Sequence, residues 1–176
     1  NDNGVKLNKY DLLNEGYYKL LDIPEEWIKN PNHFIQRKCF KENIEYINKN
    51  KIKKGLDQIK YPIYHLDFET FPCPIPRFKG EVPYTQSPFE FSLHIEREPG
   101  VCDKETDNYV FLAKTNKDER KELTKELVKR INTDKGCMLA QNVPFEKRVI
   151  KHLGEVYPEY KKQLMKIYDM GFDLLW

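Results

Sequence analysis

The stretch that decides the fold is Tyr61-Pro-Ile-Tyr-His-Leu-Asp-Phe-Glu-Thr-Phe71, where an apolar strand pattern carries two acids two residues apart. A strand turns successive side chains to opposite faces, so Asp67 and Glu69 share one face with Ile63 and His65. Tyr64, Leu66 and Phe68 fill the other face and are expected to pack under a helix. The two carboxylates are expected to stand together at the strand's C-terminal end. Carboxylates a few ångströms apart repel unless a proton or a cation is shared between them, and oxygen-only ligation suits Mg²⁺ or Mn²⁺. Solvated sheet faces also carry D-x-E pairs. Here, however, the residues before Asp67 are too apolar for a surface edge, and an interior strand ending in acids is costly unless the charges are compensated. A metal site is the expectation.

The 176 residues are enough for one full domain or a domain with an appendage. Charged residues make up 33% of the chain yet nearly cancel to +2, so overall basicity does not advertise nucleic-acid binding and any such binding must be local. Cys39, Cys73, Cys102 and Cys137 stand far apart, without a C-x-x-C pair or a histidine at zinc-ligand spacing, which argues against a structural zinc. With neither a signal-peptide pattern nor an apolar run of about 20 residues, the sequence is expected to be cytoplasmic, away from membranes, with reduced thiols.

Residues 1–58 differ in kind from the remainder: they are rich in Asn, Lys and Tyr, lack alternation, and read as a helical connector or appendage. Leu12, Leu13, Tyr17, Leu20 and Leu21 recur at helical spacing. Pro24 starts a second helix, and a third is expected over Phe34 to Asn48 before a basic bridge from Lys49. Residues 59–176 carry the strands. After Phe71 a proline-rich loop interleaves Arg77 and Lys79 with Phe78 and Tyr84, a mixture that stacks on bases and meets phosphates, or that packs on itself. Phe89 to Glu96 alternates as a second strand and Asn108 to Lys114 forms a third, completing a meander. Asn116-Lys-Asp-Glu119 has capping-box spacing and opens a helix to about Asn132. Gly136 to Asn142 reads as a short buried strand, and Pro144 suits the first turn of the helix after it. The order β-β-β-α-β-α predicts an α/β (α+β) domain with a mixed sheet flanked by helices, the arrangement of an RNase H-like fold.

Glu146 falls in that last helix's first turn. A carboxylate there is favoured by the helix dipole alone. Adjacent strand ends in one sheet would nevertheless bring Asp67, Glu69 and Glu146 to one spot.

Asp67-Phe-Glu-Thr70 followed by Asn142-x-x-Phe-Glu146 resembles the first two motifs of DnaQ-like, DEDD-type 3′-5′ exonucleases. The first motif matches in full. In the second, Glu146 stands where Asp is usual, so its side chain is one methylene longer. Residues 60–176 also resemble a bacterial domain family of unassigned function within that superfamily, through Tyr61-Pro-x-Tyr-x-Leu-Asp-Phe-Glu-Thr70 and Pro83-Tyr-x-x-x-Pro-Phe-x-x-Ser-Leu-His94.

The resemblance implies two-metal phosphodiester hydrolysis of DNA or RNA with Mg²⁺ or Mn²⁺. Asp67, Glu69 and Glu146 would be the catalytic metal ligands and Asp173 a further, outer contributor. Thr70, Phe71, Asn142, Phe145 and Arg77 would meet substrate. It further implies a RecB-like or Cas4-like nuclease domain upstream in the parent protein.

A third motif, supplying a final Asp and a His or Tyr base, is absent before Trp176. The 176 residues are therefore expected to be a C-terminally truncated, weakly metal-binding and nearly inactive fragment, in which His152 is a helix-surface residue and Asp173 caps the start of a next helix. The alternative is a non-catalytic nucleic-acid-binding or scaffolding module of a larger nuclease.

Overall fold

The computed structural model describes residues 8–114 and 117–174, which fall in two compact units, 1–54 and 55–176. The first carries α1 (Lys9–Asn14) and α2 (Pro31–Glu42), while α3 (Lys49–Leu56) crosses the boundary. Asn8 caps α1 through a reciprocal box with Asp11, and Asn30 caps α2 ahead of Pro31. None of these helices has a buried residue. The expectation of a helix through Leu20 and Leu21 is corrected: α1 ends at Asn14, and Gly16 takes φ +86°, which stops it. Pro24 starts only a single 3₁₀ turn, Glu25–Trp27. The basic bridge from Lys49 is itself helical.

The second unit is a five-stranded mixed sheet with helices, an α+β architecture. Its strands are β1 (Ile63–Pro72), β2 (Gln86–Glu96), β3 (Asn108–Leu112), β4 (Cys137–Ala140) and β5 (Gly171–Asp173), in the order β3-β2-β1-β4-β5. The β1–β2 and β2–β3 pairs are antiparallel, and β4 runs parallel to both β1 and β5. Helices α4 (Arg120–Arg130), α5 (Val143–Val156) and α6 (Lys161–Asp169) complete the unit.

Alternation in β1 works as the sequence implies. Tyr64, Leu66 and Phe68 are buried in the main core with Phe91 and Leu93 of β2, Leu123 and Leu127 of α4, and Val149, Ile150 and Leu153 of α5. Each such side chain contributes roughly 1.5–3 kcal/mol by burial. Ile63, Cys137 and Leu139 form a smaller cluster. Gly136, at φ +91°, lets the chain enter β4 so close to Pro62 that an added Cβ would lie 2.2 Å from the Pro62 carbonyl oxygen.

Three expectations for this unit change. β1 does not stop at its acids: β2 is long enough to pair with it as far as Pro72, with an irregularity between Glu69 and Thr70. α4 begins at Arg120 with Glu119 as its cap residue; Asn116 of the expected capping box lies outside the described residues. Asp173 opens no helix, because residues Gly171–Asp173 add a fifth strand beside β4.

The Tyr64 hydroxyl accepts the Asn132 backbone N–H at 3.1 Å, tying the residues after α4 to the central strand. Tyr64→Phe should lower the free energy of unfolding by about 1 kcal/mol, the net worth of one such bond. Urea unfolding measures it, and an unchanged midpoint would show the bond to be dispensable.

Candidate active site

β1 pairs with β4 only over Ile63 to His65, so the backbone of β1 emerges from β4's cover just before Asp67. The chain leaves β4 at Ala140 and enters α5 through Asn142, whose side chain makes no capping bond and whose carbonyl accepts from the Phe145 N–H at 2.8 Å. With Pro144 in the first turn, the helix starts at once and sends Glu146 back toward β1. Glu146 is only 3% exposed.

Its carboxyl is pushed up to about 8 from an ordinary value of 4.5. Burial is the main cause and the charge of Asp67 the next; the Phe68 backbone N–H pulls the other way, and Glu69 adds to the rise. The helix dipole, which favours the ionised form, is outweighed. One oxygen, Oε2, is enclosed without any hydrogen-bond partner among the described residues. Asp67 and Glu69 are exposed on the opposite side of β1 from its core side chains. Glu146 therefore feels both acids while they face solvent.

The hairpin register adds a further acidic group. Glu69 lies directly across from Glu90 of β2, and Asp67 across from Ser92. Like charges in opposed positions destabilise a sheet, so acid is concentrated here at a cost. Its signal in the sequence was the alternation Phe89-Glu-Phe-Ser92, readable only once the register was known.

Other candidate residues sort by place. The Thr70 hydroxyl donates to Gln86 Oε1 at 2.6 Å. The Arg77 guanidinium lies 4.8 Å from the centre of the exposed Phe71 ring and 5.2 Å from that of Phe78, so the loop does pack on its own aromatics, close to the acids' strand. Phe145, with Arg148 at 6.0 Å over its ring, lies one residue before Glu146. Asp173 is not brought to β1: it pairs with Ala140 on the far side of β4, two strand spacings or about 10 Å away. His152 is half-buried on α5 and not fully on its surface, its Nε2 being enclosed without a hydrogen-bond partner among the described residues. Burial, followed by the charge of Arg120, holds its pKa below the ordinary value. The reason is that α5 turns His152 inward beside Val149, where both line a cleft with Tyr84 and Phe145.

An orphaned buried oxygen beside two further carboxylates is the donor chemistry a divalent cation would relieve. Among the described residues, however, no three His, Cys, Asp or Glu side chains converge closely enough to hold an ion. The donors fit in kind, and they are not drawn together.

The chain matches, over residues 64–176, the family described as a domain of unknown function, DUF2779. It belongs to that family. The DUF2779 match spans every strand of the sheet and all three candidate acids, and begins at Tyr64 within β1. No curated protein and no solved structure matches the chain. Among the described residues no helix is long and apolar enough to cross a membrane.

The Glu146 shift carries a pH signature. A carboxyl whose folded pKa is raised keeps its proton where the unfolded chain has lost it, so the contribution of Glu146 to stability is greatest below about 4.5 and falls as pH rises toward 8. Glu146→Gln should remove that fall and leave the protein on the order of 2 kcal/mol more stable than the parent at pH 8. Parallel urea titrations at pH 5 and pH 8 test it; identical pH dependence in both proteins would mean that Glu146 ionises freely.

Proposed function

We propose that residues 55–176 form an RNase H-like domain of the DnaQ type, acting as a metal-dependent 3′-5′ exonuclease on DNA or RNA. The observation that carries this is the buried Glu146 carboxyl, with an oxygen that has no hydrogen-bond partner among the described residues, near enough to Asp67 and Glu69 for their charges to raise its pKa. The order β3-β2-β1-β4-β5, with β2 antiparallel to its neighbours, is what such a fold would have, and supports the reading.

Asp67, Glu69 and Glu146 would hold Mg²⁺ or Mn²⁺. When bound, such ions supply an acidified water and charge neutralisation at the phosphate. Asp67 and Glu69, already facing solvent, meet substrate with little rearrangement, whereas Glu146 must give up its proton as it turns its carboxyl outward. Phe71 and Arg77 present a ring and a cation at the end of β1, suited to stacking on the terminal base and pairing with its phosphate. Asn142 and Phe145, at the start of α5, would meet the substrate from the helix side. A RecB-like or Cas4-like domain in the same protein would be the partner that delivers the strand.

The experiment uses oligonucleotides labelled at the 5′ end, incubated with Mn²⁺ and either the 176-residue chain or the chain with whatever residues its gene encodes on either side. Stepwise shortening from the 3′ end, abolished by EDTA, is the expected result; intact substrate with every form, or internal cuts, would defeat the reading. The lack of converged ligands among the described residues favours a second one, a non-catalytic nucleic-acid-binding or scaffolding module. Melting separates them, because an ion that binds only the native state raises its stability by mass action. No shift in Mn²⁺ at pH 8, with oligonucleotide binding unchanged by EDTA, selects the module.

A further inference from the structure

At the other end of the sheet from the acids lies a cleft of about 530 Å³, lined by Arg97, Lys129, Arg130 and Lys135 together with Tyr64 and Tyr109. We propose that this cleft binds a phosphate-bearing ligand, either the phosphodiester backbone of a nucleic acid or a free nucleotide. Four cations meet here and no carboxylate is among the lining residues, in a chain whose 30 basic and 28 acidic residues almost balance. Helix-dipole effects account for Lys129 and Arg130, which sit in the last turn of α4. They do not account for Arg97, which follows β2, or Lys135, which precedes β4. Three separate elements therefore converge on one sign of charge, the condition under which a concave site focuses potential and gathers anions.

The cations are held differently. Arg97 pairs with the buried Asp107 while its side chain stays largely exposed. Arg130 pairs with Glu126 at 3.2 Å and stacks at 4.2 Å over the Tyr109 ring, which fixes its plane at the cleft wall. Lys129 and Lys135 are exposed and have no hydrogen bond or ion pair among the described residues. At the floor, the buried Tyr64 hydroxyl accepts from the Asn132 N–H, and its own proton has no acceptor among the described residues. Two oriented guanidinium groups, two uncommitted ammonium groups and a phenol donor match the several acceptor oxygens of a phosphate. Tyr64 and Asp67 are three residues apart on β1, about 10 Å along the strand and on opposite faces, so the cleft is separate from the acids and does not depend on their role.

The test measures fluorescence anisotropy of a labelled single-stranded 15-mer with the full chain in EDTA, across a salt series, with ATP and inorganic phosphate as competitors. Lys129→Gln/Lys135→Gln should weaken binding at least tenfold at low salt and reduce the slope of log K against log salt by about 0.7 per lysine. Binding is read in EDTA and exonucleolysis in Mn²⁺, so failure here and failure of the exonuclease reading remain distinguishable. Loss of oligonucleotide binding without displacement by ATP identifies the polymer backbone; displacement by ATP, with lysine-dependent ATP binding, identifies the free nucleotide. Equal binding by parent and variant, or no binding of either probe by the parent, overturns the proposal. Both lysines are exposed, so the variant should melt as the parent does; if it does not, Lys135→Glu alone, in the loop before β4, replaces it with the same outcomes.

Discussion

Asp67→Ala is expected to reduce exonucleolytic turnover on the order of 10³-fold or more, in whichever form of the protein degrades oligonucleotides, without loss of fold. Removing a group that merely orients a metal ligand typically costs 10- to 100-fold, and removing a ligand itself costs more. Asp67 is exposed, so alanine leaves no cavity. Its charge also helps to hold Glu146 protonated; its removal should bring the Glu146 pKa down from about 8 and flatten the decline of stability between pH 5 and pH 8. Kinetics and urea titration of the one variant thus report on the same charge. Turnover within tenfold of the parent would remove Asp67 from the catalytic machinery, and an unaltered pH profile would remove it from the surroundings of Glu146.

The largest loss of stability is expected for Arg120→Met, about 3–5 kcal/mol, because it strands buried charge. Arg120 is 2% exposed at the start of α4. Its guanidinium donates to Glu81 Oε1 at 3.1 Å, to the Lys79 carbonyl at 3.1 Å and to Asp118 Oδ2 at 2.7 Å, and lies 5.0 Å from the centre of the Phe78 ring. The Glu81 side chain is 3% exposed. Burial would raise its pKa, but bonds from Ser87 and from the Arg77 and Phe78 N–H groups, with the charge of Arg120, bring it below the ordinary value. For Asp118, likewise, burial opposes and Arg120 prevails.

Acids depressed in this way stabilise the fold above their unfolded pKa and lose that contribution as pH falls through the folded one. The gap between parent and Arg120→Met should therefore be full at pH 7 and narrow below about pH 4. A gap under 1 kcal/mol at neutral pH would mean that water or a rearranged loop satisfies Glu81. Hydrogen exchange across residues 73–85 gives an independent reading, since Arg120 is what holds that loop, and with it Arg77, to α4.

The central strand, its two faces and the meander could be read directly, because β1 and β2 alternate cleanly and period-2 patterns survive tertiary context. Short elements could not. Gly171–Asp173 is a three-residue strand with no periodicity to detect, and it exists because β4 offers a free edge; this is what turns Asp173 from an expected helix cap into a ladder residue. The paired acids were legible from spacing alone. The burial of Glu146 was not, since its place in the first turn of α5 fits a solvated dipole partner equally well. Only the early end of β4 leaves the space into which its side chain turns. Arg120 and Glu81, separated by 39 positions, carried no sequence signal of their pairing.

The unequal reach of the β1 ladders has a kinetic side. β1 meets β2 within a hairpin that pairs Ile63 with Glu96, whereas its pairing with β4 must close from residue 63 to residue 137. Closing a longer loop before any contact rewards it slows folding, so parallel β1–β4 pairing is the natural late event. On a ribosome the meander can form while α5 is still being synthesised. Asp67 and Glu69 then wait on a preformed surface, and the repulsive meeting with Glu146 is deferred to the last step of assembly, when the core beneath β1 is already closing.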